Sequence, residues 1–268
     1  MRKKNFYKKL IQRVKSAVNA ARIPKSFSKK NNNVFSNEQH IIMQVLMQLE
    51  SKRFRDMPCF LELIGHEINL PKIPCFTTIN KFLLRIKSTW IHKLISHLVK
   101  SNKSTLVAID GTGFSLIKRS TYFGTVVGEM KRFMQCVAAA DVKRKLITAI
   151  RLRIKKRNEN IDVNPLMKST SRDMPVEAYL ADKGFDSKKN HDRAERHGTR
   201  FISPIKNMNK QGFKVRDSRR RKLAKDFPKQ VYNKRSIIES IFSVIKRRFG
   251  QLVYMRKFKG QKNEILFR

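Results

Sequence analysis

Acidic residues are scarce in this chain: 20 Asp and Glu stand against 61 Lys and Arg in 268 residues, a formal net charge of +41 at pH 7. Charge this one-sided repels itself in a folded protein unless a polyanion neutralises it, so the imbalance points to a phosphate backbone as partner. Cysteine is scarce too. Cys59, Cys75 and Cys136 are odd in number, widely separated and never in a Cys-x2-Cys pair, which excludes a disulfide framework and a zinc ribbon. Their apolar neighbours lead us to expect three buried free thiols. The six histidines lack zinc-ligand spacing, since His92 and His97 are separated by five positions with no cysteine nearby. No stretch reaches the roughly 18 apolar residues of a membrane span. The basic start Met1-Arg2-Lys3-Lys4 leads into an amphipathic pattern rather than an apolar signal core. The expectation is a soluble cytoplasmic protein associated with the nucleoid.

What is present is enough apolar material, 40% of residues, to fill one large or two small domains, which excludes a wholly disordered basic tail. Residues 1–103 read as a small all-helical unit. Phe6, Leu10, Ile11, Val14 and Val18 recur at steps of three and four, the stripe of a helix over 5–18. Ser36 stands as N-cap before the run 41–49, Pro58 opens a helix that Gly65 closes, Thr77 or Thr78 caps 79–86, and Trp90, Leu94, Ile95 and Leu98 mark another helix. This stretch holds 21 Lys and Arg against 5 Asp and Glu, so we expect it to bind DNA, with a plain structural cap as the alternative.

From residue 104 to 268 strands and helices alternate, and we assign this stretch to a second domain. Leu106-Val107-Ala108-Ile109 is a continuous apolar run, as for a strand buried on both faces, and ends in Asp110-Gly111. Segments 133–142 and 146–154 form a hairpin about Lys143-Arg144-Lys145. A helix near 162–167, a strand 177–181 ending at Asp182, a helix 187–197 closed by Gly198, a strand 200–203 and a long helix complete the order. That order is the one of a ribonuclease-H-like α/β fold, a mixed sheet flanked by helices. Between 206 and 229, ten basic residues, Arg219, Arg220, Arg221 and Lys222 among them, read as an extended connection lying on DNA phosphates.

The segment from Tyr232 to Lys246 is the most informative. On one helix at about 100° per residue, Tyr232, Arg235, Glu239 and Lys246 fall in one narrow stripe, beside a broad apolar stripe of Ile237, Ile238, Ile241, Phe242 and Ile245. The plain alternative is a solvated helix face on which Arg235 and Glu239 form an i,i+4 pair worth tenths of a kcal/mol. Two further acids, Asp110 and Asp182, end apolar strands where the chain opens to solvent. In the ribonuclease-H-like order those two strands are neighbours with the Glu239 helix packed across them, so three carboxylates would meet at one point, as a site for magnesium or manganese requires. The remaining acids read as structural: Asp141 in a turn, Asp162 as a helix N-cap and Asp186 before a helix. Glu129 is isolated in a loop.

The spacing Tyr-x2-Arg-x3-Glu-x6-Lys at 232–246 resembles the signature of the DDE transposases of insertion sequences. Leu106 to Phe114 resembles that family's first catalytic strand, carrying Asp110, and Tyr179 to Ser187 its second, carrying Asp182. The likeness covers about residues 104–250, and more loosely 74–82. The resemblance implies that Asp110, Asp182 and Glu239 hold two divalent ions, Mg2+ or Mn2+. It further implies cleavage of double-stranded DNA at element ends, transfer of the freed strand into target DNA, and a homodimer or larger assembly on DNA. Arg235 and Lys246 would contact phosphates near the cut, and Tyr232 a base or a phosphate. A ribonuclease-H-like nuclease without strand transfer, or an inactive remnant that only binds DNA, stays open. Only 29 residues follow Glu239 where the family continues with at least one more helix, and 264–268 read as the start of a helix.

Overall fold

A computed structural model describes residues 2–27, 34–116, 133–154, 158–207 and 215–268, with the backbone alone for 2–4. Glu129 lies outside the described residues. Two compact units emerge: Met1–Leu98 together with Arg248–Arg268, and Val99–Arg247. Residues 248–268 thus group with the helices rather than with the stretch that precedes them in sequence.

In the helical unit, α1 (Arg2–Ala20) is longer than its apolar stripe, and Ile11, Ala17 and Val18 are its buried positions. Ser36 caps α2 (Asn37–Leu49) through a reciprocal capping box with Gln39. Pro58 sits in the first turn of α3 (Met57–Ile64), but Gly65 does not supply the left-handed stop expected of it. The chain continues as a 3-10 turn (Gly65–Ile68), and Asn69, at φ 55°, takes the left-handed position. Neither threonine caps α4 (Phe76–Arg85): the N-cap is Cys75, with Thr77 and Thr78 inside the first turn. Packed among these helices are Ile42, Met43, Leu46, Met57, Leu61 and Ile79, all 3% exposed or less, and α5 (Ser88–Val99) follows. Burying each such side chain stabilises the unit by about 1.5–3 kcal/mol. Of the three thiols only Cys136 is buried; Cys59 and Cys75 are exposed, because their apolar neighbours lie on other faces of the helix starts.

The second unit is built on a sheet of strand order β3-β2-β1-β4-β5, comprising β1 (Thr105–Leu116), β2 (Phe133–Asp141), β3 (Leu146–Arg153), β4 (Val176–Ala181) and β5 (Arg200–Ile202). The β1, β2 and β3 pairings are antiparallel, while β1–β4 and β4–β5 are parallel, the mixed sheet of a ribonuclease-H-like domain. One sheet face, with Val107, Ile109, Val137, Tyr179 and Ala181, is covered by Val163, Leu166 and Met167 of α6 (Asn160–Asp173) and Ala194 of α7 (Lys188–Arg196). The other face, with Ala178, Leu180 and Ile202, packs on Phe227, Val231 and Tyr232.

The basic connection is not extended throughout, for α8 (Ser218–Lys225) is a helix capped by Asp217. Nor is the signature segment one helix: α9 (Lys229–Asn233) passes through a 3-10 turn (Lys234–Ser236) into α10 (Ile237–Phe249). A last helix, α11 (Phe258–Leu266), belongs to the helical unit and ends near Glu264 rather than starting there. On it Asn263, fully buried, donates to the carbonyls of Leu83 and Ile86 at 2.9 and 3.0 Å, the open end of α4.

Candidate active site

Asp110 is in mid-strand, since β1 continues to Leu116 along β2. What ends at Asp110 is the other pairing: the last β1–β4 register pair is Ile109 with Ala181. Asp110 and Asp182 are therefore the next residues on two adjoining parallel strands, where the sheet opens on one side. Asp182 leaves the sheet as the cap of a 3-10 turn (Lys183–Phe185), its Oδ1 accepting from the Lys183 amide at 2.6 Å. Asp110 Oδ1 accepts from the Gly111 amide at 2.8 Å.

Arg235 ties the third acid to the first. Its Nη1 donates to Asp110 Oδ2 at 3.1 Å and its Nη2 to Glu239 Oε1 at 2.7 Å. Arg235 lies in the 3-10 turn, two residues before α10 begins. Further along α10, Lys246 Nζ donates to Thr112 Oγ1 at 2.6 Å; Thr112 lies two residues beyond Asp110 and hence on the same face of β1. Tyr232 packs edge-on to Phe227, ring centroids 5.0 Å apart, with the Arg235 guanidinium 5.9 Å from its ring. Tyr232 thus packs on β4, Arg235 and Lys246 bond to β1, and Glu239 is joined to β1 through Arg235, although the helix between them is broken.

Burial raises the Asp110 carboxyl above the usual carboxylate range; the Gly111 amide and Arg235 oppose this, and the charges of Glu239 and Asp182 add to it. The three acids are thus electrostatic neighbours at a point where negative charge is disfavoured unless a cation is close. In the protein alone Arg235 partly fills that role. Among the described residues no three His, Cys, Asp or Glu side chains form a metal-ligating group. The donor chemistry suits a hard divalent cation, being carboxylate oxygens on rigid strands and a helix. Such an ion would compete with Arg235 for Asp110 and Glu239.

A fourth acid escapes sequence reading. Glu159, the residue before α6, lies against Gly111 so closely that a Cβ there would collide with its carboxylate, and Gln135 Nε2 donates to its Oε1 at 3.0 Å. The available signal was an acid at the very start of a helix. That place was assigned to Asp162, which instead lies inside α6, buried, with Arg153 bonding to its Oδ1 at 3.0 and 2.6 Å.

The basic cluster on α8 divides. Arg219 is ion-paired to Asp192, Glu195 and Asp217. Arg220 forms a two-pronged pair with Asp186, at 2.9 Å to Oδ1 and 2.6 Å to Oδ2. Asp186 is wholly buried and also accepts from the Lys206 amide at 2.8 Å, with His191 Nε2 3.4 Å away. These two arginines hold the segment down, whereas Arg221 and Lys222 are exposed. Asp141 behaves as turn chemistry predicts, accepting from the Lys143 and Arg144 amides at 2.9 and 3.0 Å.

No helix among the described residues is long and apolar enough to cross a membrane. Residues 101–268 match the model of a family described as the transposase DDE domain. No curated protein matches the chain.

Proposed function

Since the chain belongs to the transposase DDE domain family, and its general activity is that of a transposase, we propose that Asp110, Asp182 and Glu239 form the catalytic centre for cleaving element ends and joining them to target DNA. The observation that carries this reading is the register: Asp110 and Asp182 follow the last β1–β4 pair, and Arg235 links Asp110 to Glu239. The three carboxylates would hold two divalent ions, magnesium or manganese, which when bound would supply activation of the attacking oxygen and stabilisation of the leaving one. In the first step water oxygen bonds to phosphorus as the bond from phosphorus to the 3′ oxygen breaks, leaving a 5′ phosphate and a free 3′ hydroxyl. In the second that hydroxyl bonds to a target phosphorus and displaces the target's own 3′ oxygen, so no covalent protein intermediate is needed.

The chain's own basic groups position the DNA. Arg235, released from the carboxylates, suits a bidentate phosphate contact, and Lys246, bonded to Thr112 two residues beyond Asp110, serves as a point charge. Tyr232 presents a ring and hydroxyl beside Arg235 for a base or phosphate. Arg221 and Lys222 offer phosphate contacts that position without specifying sequence. Double-stranded DNA is the substrate, and a dimer or larger assembly would hold paired ends.

The test is magnesium- or manganese-dependent cleavage of a labelled element end by the full chain and by Glu239→Gln, with a binding titration on the same samples. Glu239→Gln should lose cleavage and keep DNA binding; retained cleavage would overturn the assignment. An assay for joined products separates transposition from hydrolysis alone.

A further inference from the structure

The helical unit holds a pocket of about 400 Å³ that the catalytic reading does not use. This volume lies within the roughly 300–1,000 Å³ typical of small-ligand sites. Its walls mix two kinds of group. Phe27, Phe82 and His40 supply rings; Lys72, Lys81 and Arg85 supply positive charge. The His40 imidazole stacks on Phe82, centroids 4.5 Å apart and planes 10° apart. Phe27 in turn stacks on Trp90 at 5.6 Å and 14°, with the Arg85 guanidinium 4.6 Å from the Phe27 ring centre.

Two features make this more than a packing gap. His40 is 8% exposed, yet its Nδ1 has no hydrogen-bond partner, which ordinarily costs a buried polar atom about 1–3 kcal/mol. Burial, aided by the nearby Arg85 charge, pulls the imidazole down to about 4, so it is neutral at physiological pH, with its unpartnered Nδ1 itself buried. In addition, Lys72, Lys81 and Arg85 converge on one pocket, and none is in an ion pair with a described carboxylate. A bare phosphate would satisfy the cations and leave the partly exposed Phe27 ring uncovered. A neutral aromatic molecule would do the reverse. A nucleotide uses both, because a base stacks on rings of any identity while its phosphate meets the cations.

We propose that this pocket binds a nucleotide, its base against the partly exposed Phe27 ring on the wall that His40 and Phe82 back, and its phosphate on Lys81, Arg85 and Lys72. The occupant is either a nucleotide of DNA turned out of its strand or a free one; the recognition chemistry is the same. Nothing in this inference depends on the catalytic centre, to which none of these residues contributes.

Trp90 is the chain's single tryptophan and touches Phe27, so its emission reports on the pocket. The full chain would be titrated separately with nucleoside 5′-monophosphates, nucleosides and inorganic phosphate. A saturable emission change is expected with the monophosphates, at concentrations where nucleoside or phosphate alone has little effect. Lys81→Gln, at an exposed position, and Arg85→Gln should each weaken that binding about tenfold, the scale of one charge-assisted contact. Displacement of the monophosphate by a single-stranded oligonucleotide, but not by an abasic strand of the same length, would identify a nucleotide of DNA as occupant. Failure of both strands to displace it would identify a free nucleotide. The proposal is overturned if inorganic phosphate saturates the signal as tightly as the monophosphates. It is also overturned if both variants bind like the wild type, or if no nucleotide alters the emission of the natively folded chain.

Discussion

Arg220→Ala is the most exacting test of how the basic segment is used. The guanidinium makes two bonds to Asp186, whose side chain is wholly buried, while the Lys206 amide and His191 lie on the same carboxylate. Removing one partner of a buried pair leaves an uncompensated charge, at a cost of about 3–5 kcal/mol. Because the Lys206 amide still bonds to Oδ2, the lower end of that range is expected. For a unit of this size about 1 kcal/mol moves the midpoint of thermal unfolding by roughly 2–4 °C, so the melt should fall by roughly 6–12 °C. Arg221→Ala, whose side chain is exposed, should stay within about 0.5 kcal/mol of the parent. The sign with pH follows from Asp186. Burial raises its carboxyl, but His191, Arg220 and the Lys206 amide together hold it below the usual range. The wild type therefore has this stabilisation in full above the unfolded carboxyl's pKa of about 3.9 and loses it as pH falls further. The variant loses the lowering, so the gap between the two melts should be widest near neutrality and shrink below about pH 4. Thermal melts followed by circular dichroism, paired with a DNA titration, read both effects. An Arg220→Ala chain that melts with the wild type and binds DNA less tightly would refute the reasoning and return Arg220 to the DNA surface.

Asp110→Asn should abolish cleavage and yet raise the melting temperature at neutral pH. The folded-state pKa of Asp110 is raised, chiefly by burial, so the wild type loses stability as pH rises through that value and the amide does not; a lower neutral-pH melt in the variant would count against it. Gly111→Ala should cost about 1–3 kcal/mol, because the new methyl displaces the Glu159 carboxylate from Gln135. The penalty should largely vanish in a Glu159→Ala background, as a double-mutant cycle would measure. Cys75, drawn down to about 6 by the Thr77 hydroxyl first and then by Thr78, should react with iodoacetamide near neutral pH. Cys136, pushed up to about 12 by burial, should react only on unfolding; mass spectrometry of the labelled peptides separates them.

Much of the architecture was legible because buried strands write themselves as apolar runs. Leu106 to Ile109, the hairpin strands and the strand before Asp182 all have the expected places, and the ribonuclease-H-like order followed from them. The ends were not legible. Beyond Ile109, β1 continues through glycines and half-exposed positions that show no period, held by its pairing with β2. The signature row was readable as residue types but not as one helix. Its members reach the sheet through a 3-10 turn, which no apolar spacing announces. Pairings across long separations were also hidden: nothing local marks Arg220 as the partner of Asp186, or Glu159 as the neighbour of Gly111. A run of arginines reads as a DNA contact until the acids that hold two of them are seen.

The placement of α11 bears on how this protein can be made and dissected. The helical unit is assembled from two stretches of sequence with residues 99–247 between them. During synthesis its first five helices leave the ribosome long before Asn263, which satisfies the last carbonyls of α4 and accepts a bond from Ser88 at the start of α5. Until then the corner between those helices has unsatisfied backbone groups and an uncovered seam. This fold therefore closes late, and its closure waits on the intervening sheet having been translated. A fragment cut at residue 98 would carry the five helices without their clasp, whereas the same fragment supplied with residues 248–268 as a separate peptide has the means to complete itself.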